Sequence, residues 1–245
     1  MREVAQRVFA KEFEDSNLSY KKGDEKYSPN YVLTPTGAEC NRLFIVGTLT
    51  EKEDIGVEVE YWRGRIVDPT GVFQIYAGQY QPDAMRSLTE IEPPTFVAVA
   101  GKVSVFTLEE GDVRTSIRPE FVVEVEEDVR DRWVLETANI TLERLRALNE
   151  KSTESAKMAL EHYDTDVVYY AKIVRDALLT LRHEKREITK ESKEVIEEWW
   201  DEEDIEELEI EEKEEPEGKK GKRDKGEEET GLDLWEDFTE DYFDV

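Results

Sequence analysis

Apolar positions alternate with polar ones at a period of two in five stretches: RLFIVGTLT (42–50), VEVEYWRGRIV (57–67), VFQIYAG (72–78), TFVAVAGKVSVF (95–106) and VRTSIRPEFVVEV (113–125). All five are rich in β-branched and aromatic residues, a combination that predicts strands. Asp68-Pro69-Thr70-Gly71 joins the second stretch to the third, with Asp, Pro and Gly at the positions a type I turn favours, so these two strands form a tight hairpin. Between the third and fourth, Pro82 stands near a helix start and Met85 and Leu88 are spaced for one face, which predicts a short helix stopped by Pro93-Pro94.

Other periods flank this region. Val4, Ala5, Val8, Phe9 and Phe13 have helical spacing and predict a short amphipathic helix over 2–14. From Ser16 to Asn41, Gly23, Pro29, Pro35 and Gly37 among polar residues predict an irregular connector anchored by Tyr20, Tyr27 and Tyr31. After Val125 the period becomes 3.6. Over 129–148, Val134, Leu135, Ala138, Leu142 and Leu145 form one apolar stripe and Val129, Trp133 and Ile140 a second. A helix apolar on two sides must bury both, which makes this a candidate assembly helix with Trp133, Ile140, Leu145 and Leu148 as expected partner contacts. A further helix is expected over 165–182, capped by Asp164, with Val167, Tyr170, Ala171, Val174, Leu178 and Leu181 on one face.

Three strands, a short helix and two more strands is the order of the five-stranded OB barrel; an immunoglobulin-like sandwich would need more strands and no such helix. The expected class is therefore α+β: an N-terminal helix and connector (1–41), an OB barrel (42–126), C-terminal helices (127–190) and a disordered acidic tail (191–245).

Charge sharpens that division. Residues 191–245 hold 26 acids against 7 bases, −19 of the total −28, and such runs stay solvated. The barrel itself, 42–125, has eight bases against 14 acids, so any phosphate-binding site must be a local face rather than a general basic surface. Cys40 is the single cysteine and His162 and His183 the only histidines, which removes an intramolecular disulfide and argues against a metal centre. No nucleophile-elbow, P-loop or metalloprotease motif is present, and the expectation is a protein without catalytic activity or cofactor. No uncharged apolar run approaches the ~20 residues of a bilayer span, and the first residues lack the apolar core of a signal peptide, so a cytoplasmic protein without membrane contact is expected.

Alternation also sorts side chains by face. In the second strand Trp62, Gly64 and Ile66 share one side and Tyr61, Arg63, Arg65 and Val67 the other; in the third, Phe73, Ile75 and Ala77 point inward and Val72, Gln74 and Tyr76 outward. In the fourth, Val97, Val99, Val103 and Val105 go inward, leaving Lys102 and Phe106 outside. Single-strand binding interleaves aromatic stacking faces with cations. Arg63, Arg65, Gln74, Tyr76, Tyr80, Lys102 and Phe106 are the candidate DNA-binding set. At the other end, GLDLWEDFTEDYFDV (231–245) interrupts its acids with Leu234, Trp235, Phe238, Tyr242 and Phe243. Leu234, Phe238 and Tyr242 fall four apart and would line one face of a helix formed on a partner; Trp235, Phe238, Tyr242 and Phe243 are the candidate partner contacts of the tail.

REVAQRVFAKEF (2–13), NYVLTPTG (30–37), NRLF (41–44) and above all RIVDPTGVFQIYAGQYQPDA (65–84) resemble the archaeal replication protein A-associated family over roughly residues 2–180. The resemblance implies an OB-fold protein acting on single-stranded DNA with replication protein A subunits in replication, recombination and repair. It also implies a nucleoid-associated location, and the tail is the expected recruiter of other replication and repair proteins. A structural subunit that joins such an assembly without touching DNA is the alternative, favoured by the negative barrel.

Overall fold

Alternation places one side of each central strand in a common interior, and the strands close around it. The computed structural model describes residues 4–22, 29–107 and 113–187, with side chains described for all of these except 107 and 182–187. Those up to Leu181 belong to one compact unit. The expected acidic tail, with Trp235, Phe238, Tyr242 and Phe243, lies outside the described residues.

The barrel strands are β4 (Arg42–Asp54), β5 (Trp62–Asp68), β6 (Gly71–Ala77), β7 (Thr95–Thr107) and β8 (Val113–Glu124). They close in the order β4-β5-β6-β8-β7, antiparallel except where β6 meets β8 in parallel at Ile75 and Ile117. Helix α2 (Pro82–Glu90) lies between β6 and β7 in sequence. This order, with that helix after the third barrel strand, is the OB fold. Leu43, Ile45, Leu49, Ile66, Phe73, Ile75, Val97, Val99, Ile117 and Val122 fill the interior, each at most 1% exposed. Each contributes about 1.5–3 kcal/mol by burial.

Three expectations for the flanks need correction. The segment read as an irregular connector forms a three-stranded antiparallel sheet of β1 (Leu18–Lys21), β2 (Asn30–Leu33) and β3 (Glu39–Cys40). Residues 57–61, whose alternation reads as strand, are exposed and outside β5: the Asp54 carboxylate takes the N–H groups of Gly56 and Tyr61 at 2.9 and 3.0 Å and closes a loop there. The N-terminal helix is short, α1 (Ala10–Glu14), because Gln6 instead pairs with the edge of β4, exchanging backbone bonds with Arg42 and Phe44.

The β5–β6 turn caps that helix. The Asp68 carboxylate accepts from the N–H groups of Thr70 and Gly71, fixing the turn, and its other oxygen accepts from Ala10 N–H at 2.8 Å; Thr70 Oγ1 accepts from Lys11 N–H at 3.0 Å. Two orphan donors of the first helical turn are thereby satisfied. Burial nevertheless pushes the Asp68 carboxyl up to about 6, against the pull of its donors.

Helices α3 (Glu127–Glu150), α4 (Glu154–Tyr163) and α5 (Val167–Glu187) follow the barrel. Sequence periodicity does not reveal α4, whose buried residues are the small Ala156 and Ala159; Thr153 Oγ1 caps it by accepting from Ala156 N–H. The Tyr163 hydroxyl at its end accepts from Asn17 and Leu18 N–H and donates to Leu33 O, tying α4 to the small sheet. Trp133 of α3, expected at a partner interface, is 2% exposed inside this chain. Its ring meets Phe9 edge-on at 5.8 Å and its indole N–H donates to Phe44 O at 3.1 Å. Leu145 and Leu148 are likewise fully buried, so three of the four expected helix contacts are internal to the chain and Ile140 alone is part-exposed. Arg144 reaches from α3 to the buried Glu12 carboxylate at 2.9 and 3.0 Å, and Thr36 and Thr141 hydroxyls donate to the same carboxylate.

Candidate nucleic-acid interface

Outward positions of β5 and β6 form the floor of a groove of about 560 Å³, walled by the distal parts of β4, β7 and β8. Register aligns Glu53, Arg63 and Tyr76 in one row across β4, β5 and β6, and Glu51, Arg65 and Gln74 in the next. A bulge between Leu49 and Glu51 makes this possible, because uninterrupted alternation from the inward Leu49 would turn Glu51 and Glu53 into the core. The opposite wall comes from barrel closure: Phe106 of β7 faces Arg114 of β8, with Thr115 beside it.

The groove lining holds four cations, Lys52, Arg63, Arg65 and Arg114, against two acids, Glu51 and Glu53. On a chain of net charge −28 this is a local positive face. Its cations are not equivalent. The Arg63 guanidinium lies 2.5 Å from Glu53, Arg65 lies 3.5 Å from Glu51, and Lys52 donates to Thr89 O at 3.0 Å with Glu92 at 3.4 Å and the Trp62 ring centroid at 5.8 Å. Arg114 is exposed and makes no side-chain hydrogen bond or ion pair among the described residues. Tyr61 and Tyr76 stack with centroids 6.0 Å apart and planes 19° apart, presenting an aromatic face at one end, and Phe106 is 40% exposed at the other wall.

Of the seven candidate DNA contacts, the structure brings Arg63, Arg65, Gln74, Tyr76 and Phe106 together in this groove. Tyr80 is 84% exposed in the turn after β6 and does not line it. Lys102 lies four residues along β7 from Phe106, opposite Arg42 and Arg118 and outside the groove. Sequence reasoning missed Arg114, Lys52 and Thr115. The alternation of β8 marks Arg114 as outward, but only the parallel β6–β8 closure sets it against β6 residues.

Gln74, Arg114 and Thr115 also line an adjoining cavity of about 630 Å³ bounded by Phe13, Glu14, Asp15, Asn17 and His162, where His162 Nε2 lies 2.7 Å from Asn17 Oδ1. Of the cavity's two acids, Asp15 is paired with Lys11 at 2.9 Å. Among the described residues, no group of three or more His, Cys, Asp or Glu side chains is placed to hold a metal ion, and no helix is long and apolar enough to cross a membrane.

The fold and groove define an OB protein with a cationic and aromatic face. No family model matches the chain, and no curated protein matches it. Among solved structures the chain is similar to one from a replication protein A heterotrimer bound to single-stranded DNA, at 16% identity and TM-score 0.40, covering 58% of this chain and 98% of that one. It is also similar to a chain of the S. pombe Stn1-Ten1 complex (13%, TM-score 0.38, 64% and 96% covered). A third is the second single-stranded DNA-binding protein of Mycobacterium smegmatis (12%, TM-score 0.30, 35% and 86% covered). The fold assignment rests on the strand order of the barrel itself.

Proposed function

We propose that this protein binds single-stranded DNA through the β5–β6 groove, as a non-catalytic accessory subunit working with replication protein A-type partners in archaeal DNA replication, recombination and repair. The observation that carries the reading is the groove: stacked Tyr61 and Tyr76, Phe106, and four cations against two acids, on a chain that is otherwise strongly acidic. Stacking planes interleaved with cations suit unpaired bases on a phosphate backbone. The sequence likeness of residues 2–180 to the archaeal replication protein A-associated family supports the partner class. The engagement of Arg63 and Arg65 by Glu53 and Glu51 supports the competing reading, a subunit that joins the assembly without touching DNA.

Titration of a labelled oligothymidylate with the full chain at several salt concentrations separates the two. Binding that weakens with salt is expected. Arg114→Ala should lower low-salt affinity about three- to tenfold and the salt slope by about 0.7, the value for one single-strand phosphate contact. Arg63→Ala should weaken binding too, since it removes a cation and leaves the Glu53 carboxylate uncompensated in the groove. Wild-type protein that binds no oligonucleotide at low salt would sink the DNA-binding reading and leave the structural one.

A further inference from the structure

Two further cations without a side-chain partner among the described residues stand on the barrel away from the groove. Lys102 of β7 faces Arg118 of β8 across one strand pair and Arg42 of β4 across the other, so the three form one row on the outer face. Arg42 is bonded to Glu120, whereas Lys102 and Arg118 are exposed and make no side-chain hydrogen bond or ion pair among the described residues. The next row presents Phe121, 40% exposed, opposite the small Ala100. Arg118 and Phe121 are three apart and would face opposite sides of a regular strand. The register shift between Ala100 and Gly101 leaves Glu120 without a partner in the ladder and turns both outward. Gly101 permits that approach, since a Cβ there would meet the Arg118 carbonyl oxygen at 2.4 Å.

This face repeats the chemistry of the groove, two exposed cations beside an aromatic plane, and lies on the same ribbon. Phe106 and Arg114 at the groove wall and Lys102 and Arg118 here occupy alternate positions of the same two strands, separated only by Ser104 and Ser116. Arg114 and Arg118 are four residues apart, about 13 Å along β8.

We infer that single-stranded nucleic acid leaving the groove past Arg114 continues along the outer face of β7–β8, where Lys102 and Arg118 bind its phosphates and Phe121 stacks a base. The inference rests on the groove reading and extends it to a longer site. An acidic protein segment would also match the cations, but nothing in such a segment requires the continuity of this face with the groove along the same two strands.

The test compares two oligothymidylates, of about six nucleotides to fill the groove and about 16 to run beyond it, both within the ~4–16 nucleotides an OB fold spans. The full chain and its Lys102→Ala/Arg118→Ala variant are titrated with each by fluorescence anisotropy. The short oligonucleotide should bind both proteins equally. The long one should bind the variant about five- to tenfold more weakly, with a salt slope smaller by about 1.4, two phosphate contacts at the single-strand value. Phe121→Ala should weaken long-oligonucleotide binding only. Equal affinity of both proteins for the long oligonucleotide overturns the inference while leaving the groove intact, as does an equal loss for both lengths, which marks a general charge effect. Failure of the wild type to bind either length removes the groove reading and this one with it. If polyglutamate displaces the long oligonucleotide from wild type as well as unlabelled oligothymidylate does, the face belongs to an acidic protein and the inference falls.

Discussion

At the scale of single residues, local charge pairing decides more than charge count. Alternation along the sequence put Arg63, Arg65, Gln74, Tyr76 and Phe106 on outward positions, and the structure gathers them in one groove because outward positions of adjacent strands share a face. It could not see that Glu51 and Glu53, shifted outward by the bulge at Thr50, would engage the two arginines. It could not place Arg114 at the groove wall either, since that placement depends on which strands meet when the barrel closes. Asp68 shows the same dependence on context: its turn role is visible in Asp-Pro-Thr-Gly, its role as the cap of α1 is not. Because burial holds its carboxyl at about 6, above the ~3.9 of an unfolded chain, the folded state binds the Asp68 proton more tightly. The Asp68 contribution to stability is therefore greatest below pH 4 and declines as pH rises through about 6, by on the order of 1–3 kcal/mol. Urea unfolding of wild type and Asp68→Asn from pH 4 to 7 should show their stability difference shrinking with pH. A difference that grows with pH would contradict the placement of this carboxylate.

At the scale of elements, the five barrel strands and α2 were legible because their apolar positions keep a strict period against a single core. The small sheet was not, because Pro29, Pro35 and Gly37 punctuate it and strand β1 buries no residue fully, with Leu18 and Tyr20 only half-covered. Residues 57–61 mislead in the opposite direction: Val57, Val59 and Tyr61 alternate with glutamates, yet no neighbouring strand pairs with them and Val57 is 99% exposed. Helix α3 was found, but of its second apolar stripe only Trp133 is buried, and it packs on Phe9 of the chain's own N-terminal segment. Trp133→Ala should therefore cost about 3–5 kcal/mol of stability, the range for a buried aromatic, read by denaturant unfolding. A variant of wild-type stability that changes only the mass of an assembly would return Trp133 to an interface.

At the scale of the whole molecule, the electrostatics are those of a basic groove working against an acidic chain. Residues 191–245 carry −19 of the −28, and cutting after 190 leaves −9. The shortened protein should bind oligothymidylate several-fold more tightly at low salt, with the advantage shrinking as salt screens long-range repulsion. Equal low-salt affinity of the two lengths would show that the tail charge does not reach the groove.

The same cut has an optical consequence. Of the five tryptophans, Trp199, Trp200 and Trp235 lie beyond residue 190, leaving only Trp62 and Trp133. Trp62 is part-exposed beside the groove residue Lys52, while Trp133 is sealed between Phe9 and the Phe44 carbonyl. The two emitters thus occupy different environments, one part-exposed and beside the groove, the other dry and at the seam between barrel and helices. Quenching of the red part of the emission reports ligand, and loss of the blue part reports the opening of that seam, so a single unlabelled sample distinguishes occupancy from unfolding.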